Sequence, residues 1–101
     1  MDKKQAIKIV RSYARKLRAG RFPAAQVYLF GSFAKNRAGK DSDIDVAVVS
    51  DKLSKLENSF WLRRIRREVD LRIEPHSFTS RDFKDETNPL VAEIKKYGIK
   101  V

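Results

Sequence analysis

Apolar residues recur along the chain in two different patterns, and each pattern predicts its own kind of secondary structure. Recurrence every three or four residues is typical of amphipathic helices, whereas contiguous or alternating apolar residues are typical of strands. The first pattern predicts three helices, over residues 2–19, 53–68 and 89–97. The second predicts three strands, over residues 27–30, 43–49 and 69–73. We therefore expect a single α/β (α+β) domain over residues 1–101, with helices packed on a small sheet.

The ends of several elements carry residues that fit these bounds. Asp2 and Gln5 form the pattern of a capping box at the start of the first helix, and Gly20 follows its last turn. Pro75 is expected to end the third strand, because proline cannot donate a hydrogen bond within a sheet.

The same periodicity predicts which side chains form the core. In the middle helix one apolar arc is expected to be buried, formed by Leu53, Leu56, Phe60, Trp61 and Ile65. In the third strand Val69, Leu71 and Ile73 are expected on the buried face and Asp70 on the other. Two interpretations stay open for Phe78 and Phe83, which could form a partner-binding edge or pack on the sheet.

Charge and composition narrow the class of protein. Lysine and arginine total 23 against 13 acids, a net charge of +10, with the excess in residues 1–21 and 63–67. This predicts an acidic partner, which could be nucleic acid, an acidic protein surface or a nucleoside triphosphate. The alternative is that these residues only form the solvated faces of two helices. The chain has no cysteine, and no run is apolar enough for a secretory signal or a membrane span. We expect a cytoplasmic protein.

Candidate chemistry lies at the ends of the predicted strands. Gly31 and Ser32 follow the first strand, where a glycine lets the backbone approach a phosphate and a serine offers its hydroxyl. Asp43 and Asp45 stand two residues apart on the second strand, so both project from one face. Two such carboxylates about 4 Å apart would repel by roughly 4 kcal/mol at an effective dielectric of 20, which favours a bound cation. Asp70 is the candidate third acid on the next strand.

The single histidine, His76, does not form a metal site in the sequence. His76 has no second histidine or cysteine to complete a zinc site. A surface or capping role is therefore expected for it.

Together these residues resemble the signature of a known family. The run Gly31-Ser32-Phe33-Ala34-Lys35, followed by Asp41-Ser42-Asp43-Ile44-Asp45-Val46, is similar to that of the DNA polymerase beta superfamily of nucleotidyltransferases. The minimal nucleotidyltransferases of MntA type are most similar, because they too consist of little beyond the catalytic domain. The composite of phosphate motif, spacing and three acids is far more specific than any of its parts. The resemblance implies a small mixed sheet packed by helices.

The resemblance also implies roles for individual residues. Asp43, Asp45 and Asp70 would hold two Mg²⁺ ions, with Asp70 helping to activate the attacking hydroxyl. Gly31 and Ser32 would hold the phosphates of ATP, and Lys35 could assist by pairing with phosphate. Asn36 stands where many members have glycine, and asparagine tolerates a left-handed backbone better than most residues.

Several acceptors for the transferred nucleotide are compatible with the sequence. The leading hypothesis, implied by the resemblance, is an antitoxin that transfers AMP to a tyrosine hydroxyl of a HEPN-type RNase toxin. The alternatives are a stoichiometric toxin-binding antitoxin of weak activity and a nucleotidyltransferase that acts on a small molecule or RNA. A nucleic-acid surface formed by the basic helices is not favoured, because no aromatic-basic interleaving or recognition motif supports it.

Overall fold

A four-stranded mixed sheet forms the centre of the fold, in a computed structural model that describes all residues 1–101. The strands are β1 (Gln26–Phe30), β2 (Ile44–Val49), β3 (Ile73–Phe78) and β4 (Ile99–Lys100). The helices are α1 (Lys3–Ala19), α2 (Leu56–Arg66), α3 (Ser80–Lys84) and α4 (Pro89–Tyr97), with a 3₁₀ turn at Asp51–Ser54. The strand order is β3-β2-β1-β4, with β1 antiparallel to β2 and β4, and β2 parallel to β3. The predicted fold class is confirmed.

Apolar side chains cover both faces of this sheet. One face packs against α1 and α2 through a cluster that includes Val10, Leu17, Val46 and Leu62. The other face packs against α3 and α4 through a smaller cluster that contains both Phe78 and Phe83. These two phenylalanines therefore pack on the sheet rather than form an exposed edge. None of the helices is both long enough and apolar enough to cross a membrane.

The first helix begins as its capping residues predict. The Asp2 side chain accepts a hydrogen bond from the Gln5 backbone N–H, and the Gln5 side chain accepts one from the Asp2 N–H, both at 2.9 Å. Its buried face is anchored to α2 by Tyr13, whose hydroxyl donates to the Leu62 carbonyl at 2.7 Å. This bond satisfies a hydroxyl that would otherwise be costly to bury.

The predicted middle helix differs from the structure in its start and in the face it buries. Lys55 is extended, with φ −94° and ψ 123°, and it separates the 3₁₀ turn from α2. Because this break resets the helical phase, Leu62 is buried, whereas Leu56 and Phe60 are 76% and 66% exposed. The prediction that both belong to the core was wrong. Trp61, also predicted as core, is only half-buried.

The third strand also differs from its prediction. It begins at Ile73 rather than at residue 69, and Pro75 lies inside it rather than at its end. In this stretch the backbone N–H and C=O groups of the even-numbered residues point toward β2. The Ile44 N–H donates to the Arg72 carbonyl, and the Ser50 N–H donates to the Phe78 carbonyl. The ring nitrogen of the odd-numbered Pro75 therefore faces away from β2. Because β3 is an edge strand, no neighbouring strand needs an N–H donor there.

The segment before β3 is a turn and not a strand. Residues 67–69 and 71–72 are in turns, and Leu71, which was predicted to be buried, is 68% exposed. Asp70 accordingly lies ahead of the sheet, three residues before the first paired residue of β3.

Candidate active site

The loop after β1 is a single helical turn held by an asparagine in a left-handed conformation. Asn36 has φ +57°, and its N–H donates to the Phe33 carbonyl at 3.3 Å. The Arg37 N–H donates to the Ser32 carbonyl at 2.8 Å. These two bonds form the Schellman pattern that ends a helix, with Asn36 in the position that glycine usually takes. The asparagine therefore preserves the turn, as its tolerance of this conformation predicted.

Gly31 lies directly against one of the predicted catalytic acids. Its φ is +77°, and an added Cβ would stand 2.3 Å from Oδ2 of Asp45. Only glycine combines this backbone conformation with so close an approach. Gly31 and Ser32 are thus brought together with Asp45 at one end of the two central strands, β1 and β2.

Three sheet positions define the site around Asp45. In register, Asp45 stands between Phe30 of β1 and Glu74 of β3, and all three side chains project from the same face. Asp43 directly precedes β2 and continues the alternation, so it belongs to the same face as Asp45. Glu74 was not identified from the sequence. Glu74 follows Ile73 in the same alternating run that contains Asp70, and this position is the sequence signal that could have identified it.

Two arginines of the neighbouring helix neutralise Glu74. Arg63 Nη2 donates to Oε1 of Glu74 at 2.7 Å, and Arg66 Nη1 lies 3.8 Å from its Oε2. The hydrogen bond from Arg63 lowers the pKa of the Glu74 carboxyl below its ordinary value, more than burial raises it. Two carboxylates on adjacent strands repel each other, and these guanidinium groups offset that repulsion.

Asp70 is held by a different partner. Arg72 binds it with two side-chain hydrogen bonds, from Nε to Oδ1 at 2.9 Å and from Nη2 to Oδ2 at 2.6 Å. The hydrogen bonds from the Arg72 side chain lower the pKa of the Asp70 carboxyl. Asp70 precedes β3 and is not in register with Asp45. Its role as the third acid stays a prediction.

His76 lies at the candidate site, although the sequence favoured a surface or capping role. Its Nε2 is 3.4 Å from Oδ1 of Asp45, at the long limit of a hydrogen bond. Its ring packs edge-on against Phe30 with centroids 5.1 Å apart. His76 therefore lies beside the Asp45 carboxylate.

Lys35 projects from the same loop toward α4. Its Nζ forms an ion pair with Oε1 of Glu93 at 2.5 Å and lies 5.4 Å from the centroid of the Tyr97 ring. Lys35 must therefore give up or share Glu93 before it can pair with a phosphate group.

The donor groups of the site suit a hard divalent cation. Asp43, Asp45 and Glu74 offer only carboxylate oxygens, which are the ligands that Mg²⁺ prefers. No three carboxylate or imidazole side chains already converge as a metal site. Glu74 is turned toward Arg63, and a rotation of its side chain would be needed to complete an all-oxygen set with Asp43 and Asp45.

A large surface cavity lies away from these acids. Its volume is about 600 Å³, and its lining includes Val49, Ser50, Lys52, Lys84 and Lys95. Val49 is the last residue of β2, whereas Asp45 is near the start of that strand. Volume alone is therefore a poor guide here, and the conjunction of Gly31 with the acids identifies the candidate site better.

Comparisons with known proteins bear on the family and the fold of the chain. The profile of the nucleotidyltransferase domain family matches residues 6–101. A crystal structure of a toxin-antitoxin with AMP-PNP is similar to this chain with a TM-score of 0.52 at 20% sequence identity, covering 99% of this chain and 72% of that one. A crystal structure of a mutant toxin-antitoxin MntA-HpeT has a TM-score of 0.47 at 19% identity, with the same coverage of 99% and 72%. No curated protein sequence matches the chain.

Proposed function

Since the chain belongs to the nucleotidyltransferase domain family, as its motifs predicted, we propose that it transfers AMP from ATP to a tyrosine hydroxyl of a HEPN-type RNase toxin. In this role it is the antitoxin of the pair. The observation that carries the proposal is the packing of the Asp45 carboxylate against Gly31 and beside Glu74. This arrangement puts a close backbone approach and the acidic groups at one place, as transfer from a nucleoside triphosphate requires.

Asp43 and Asp45 are the proposed ligands of two Mg²⁺ ions. When bound, such ions lower the pKa of an attacking hydroxyl and neutralise the charge on the leaving pyrophosphate. The chain contributes position: Asp45 of β2 and Asp43, which directly precedes that strand, alternate onto one face, and Gly31 and His76 lie against the Asp45 carboxylate. Preorganised ligands of this kind lose little entropy when the substrate binds.

Two acids are candidates for the third ligand. The motif order favours Asp70, whereas the register of β3 with β2 favours Glu74, the direct neighbour of Asp45. We propose Glu74, because it is in register with Asp45, whereas Asp70 precedes the strand; an arginine already pairs with each of the two acids. The third acid would also accept the proton of the attacking tyrosine hydroxyl, which Glu74 can do once its bond to Arg63 is released.

Gly31 and Ser32 are the proposed phosphate contacts. The backbone at Gly31 is free of a side chain, and Ser32 is half-buried at the start of the helical turn. Lys35 follows one turn later and would add a positive charge toward the phosphates after exchange from Glu93.

Two observations support the proposal of a toxin partner, namely the fold that the chain shares with a solved structure and the net charge of the chain. A toxin-antitoxin with AMP-PNP has the same fold at 20% identity. The net charge of +10 favours association with an acidic partner, whether that is a protein surface or the triphosphate itself.

The experiment that tests the proposal follows the label of the α-phosphate. The purified protein is incubated with Mg²⁺, host lysate and each α-labelled nucleoside triphosphate in turn, and labelled macromolecules are identified by mass. Label on one polypeptide, strongest with ATP and located on a tyrosine, is the expected result. Asp45→Asn should abolish labelling, because it keeps the shape of the side chain and removes its charge.

Matched variants then separate the two candidate third acids. Glu74→Gln should reduce transfer by about 100-fold or more, the scale expected for loss of a general base, whereas Asp70→Asn should leave most activity. The reverse order would restore Asp70 as the third acid. Label on RNA would refute the protein acceptor, and the absence of label with toxin still neutralised would favour stoichiometric binding.

A further inference from the structure

Two large apolar side chains lie uncovered on the solvent face of α2. Leu56 is 76% exposed and Phe60 is 66% exposed. They stand four residues apart, so they are neighbours on the helix surface. Adjacent exposed apolar side chains, more than single scattered ones, are typical of interaction sites.

Arginines continue the same line along the helix. Arg63 and Arg67 follow Phe60 by three and seven residues, which places them on the same face as Leu56, and both are exposed. We name Leu56, Phe60, Arg63 and Arg67 the α2 stripe. Over residues 56–67 the chain has four arginines and one acid, Glu57. The stripe is therefore apolar at one end and basic at the other.

The basic end of the α2 stripe reaches the candidate active site. Arg63 is bonded to Glu74, the register neighbour of Asp45, at 2.7 Å. A small cavity of about 240 Å³ beside the stripe is lined by Phe60, Arg63 and Pro75, among others. Because Pro75 lies on the free edge of β3, a partner seated on the stripe would lie along the sheet edge that carries Glu74.

We infer that the α2 stripe is the docking surface for a partner protein that presents apolar side chains flanked by carboxylates. Charge complementarity selects this partner, since its acidic groups would pair with Arg67 and share Arg63 with Glu74, while its apolar groups cover Leu56 and Phe60. A second copy of this chain is a poor occupant, because it would bring another +10 of charge and the same arginines. The inference rests on the proposed function only where it identifies the docked partner with the acceptor of the nucleotide.

Binding of a partner to the α2 stripe can be tested without measuring nucleotide transfer. The probe is a fluorescent amphipathic helical peptide with leucines on one face flanked by glutamates, and the matched peptide has lysines in place of the glutamates. The acidic peptide should bind the wild-type protein, more weakly as salt increases, and should protect the amides of α2 from hydrogen exchange. The double variant Leu56→Ser with Phe60→Ser should bind it at least tenfold more weakly, as truncation of central apolar anchors usually does.

Leu71→Ser provides the control, because Leu71 is 68% exposed but lies outside α2. It should leave binding of the acidic peptide unchanged, and Arg67→Ala should weaken it. Equal binding of the lysine peptide, an equal loss in Leu71→Ser, or protection of α1 instead of α2 would overturn the inference. So would a dimer of the wild-type chain that the double variant dissociates, since the occupant would then be a second copy.

Nucleotide transfer distinguishes this inference from the proposed function. In the labelling experiment the double variant should lose label on the protein acceptor while retaining wild-type affinity for Mg²⁺-ATP, because neither residue belongs to the proposed catalytic set. If the wild-type protein binds the peptide but labels nothing, the proposed function fails and the docking surface stands. If the wild-type protein labels an acceptor protein and the double variant labels that acceptor equally well, the docking surface is refuted and the proposed function stands.

Discussion

Replacing Gly31 by alanine should damage the fold and the candidate site together. At φ +77° an L-residue with a Cβ loses about 1–2 kcal/mol relative to glycine. The new Cβ would also lie 2.3 Å from Oδ2 and 3.1 Å from Cγ of Asp45, so that side chain has to rotate. An off-rotamer side chain costs roughly 0.5–1.5 kcal/mol. We therefore expect the free energy of unfolding to fall by about 2–3 kcal/mol.

Two other glycines provide matched controls for this substitution. At Gly39 an added Cβ would meet only Ser42 Oγ at 3.9 Å, so Gly39→Ala should change stability by less than about 0.5 kcal/mol. At Gly98 an added Cβ would lie 2.3 Å from the Ile94 carbonyl oxygen, so Gly98→Ala should destabilise the protein without touching Asp45. Loss of Mg²⁺-dependent ATP binding should thus be specific to Gly31→Ala.

Urea unfolding and thermal unfolding measure the expected change. For a domain of this size, each kcal/mol shifts Tm by about 4–8 °C, so Gly31→Ala should lower Tm by about 8 °C or more. Combining it with Asp45→Ala separates the two causes, because the second change removes Oδ2 and Cγ and leaves the backbone strain and one tight contact of 3.1 Å with the Cβ of residue 45. Equal stability of Gly31→Ala and Gly39→Ala would refute the reasoning, and an undiminished cost in the Asp45→Ala background would refute the clash.

Three further predictions concern other parts of the molecule. Asn36→Gly should preserve stability in urea unfolding, whereas Asn36→Ala should lower it by about 1 kcal/mol, because only the alanine resists the left-handed φ of +57°. Burial raises the pKa of the Tyr13 phenol, so above about pH 10 the unfolded chain releases a proton that the folded chain keeps, and stability should fall by up to about 1.4 kcal/mol per pH unit. Tyr13→Phe should remove this component of the pH profile at a cost of about 1 kcal/mol near neutral pH. Glu93→Gln should release Lys35 and tighten ATP binding in a titration, while Lys35→Ala weakens it; no change in either variant would exclude Lys35 from the site.

The parts of the fold that the sequence predicted well depend on local interactions. The capping box of Asp2 and Gln5 defines the start of α1 within the first residues of that helix. Asn88 and Pro89 do the same for α4, with the Asn88 side chain accepting from the Leu90 N–H at 2.9 Å. Each signal requires only residues within a few positions, so its prediction does not depend on how the rest of the chain packs.

The buried face of α2 was not predictable in the same way. Apolar residues recur through 53–65, but the extended Lys55 interrupts the helix, and the phase counted from Leu53 no longer applies after it. The exposure of Leu56 and Phe60 follows from this interruption. A sequence can show that a helix is amphipathic, but the face that meets the core is decided by where the helix begins.

The third acid illustrates the same limit for strands. Asp70 and Glu74 are four residues apart in one alternating run, so a period of two assigns both to the same face. What separates them is the turn that ends α2, in which the N–H groups of Val69 and Asp70 both donate to the Arg66 carbonyl at 2.9 Å. This turn delays pairing until Ile73 meets Ile44, and Glu74 then stands beside Asp45. The position of an acid along a parallel strand therefore depends on the length of the preceding turn, which alternation does not encode. The contrast between Glu74→Gln and Asp70→Asn is accordingly a test of strand register as well as of chemistry.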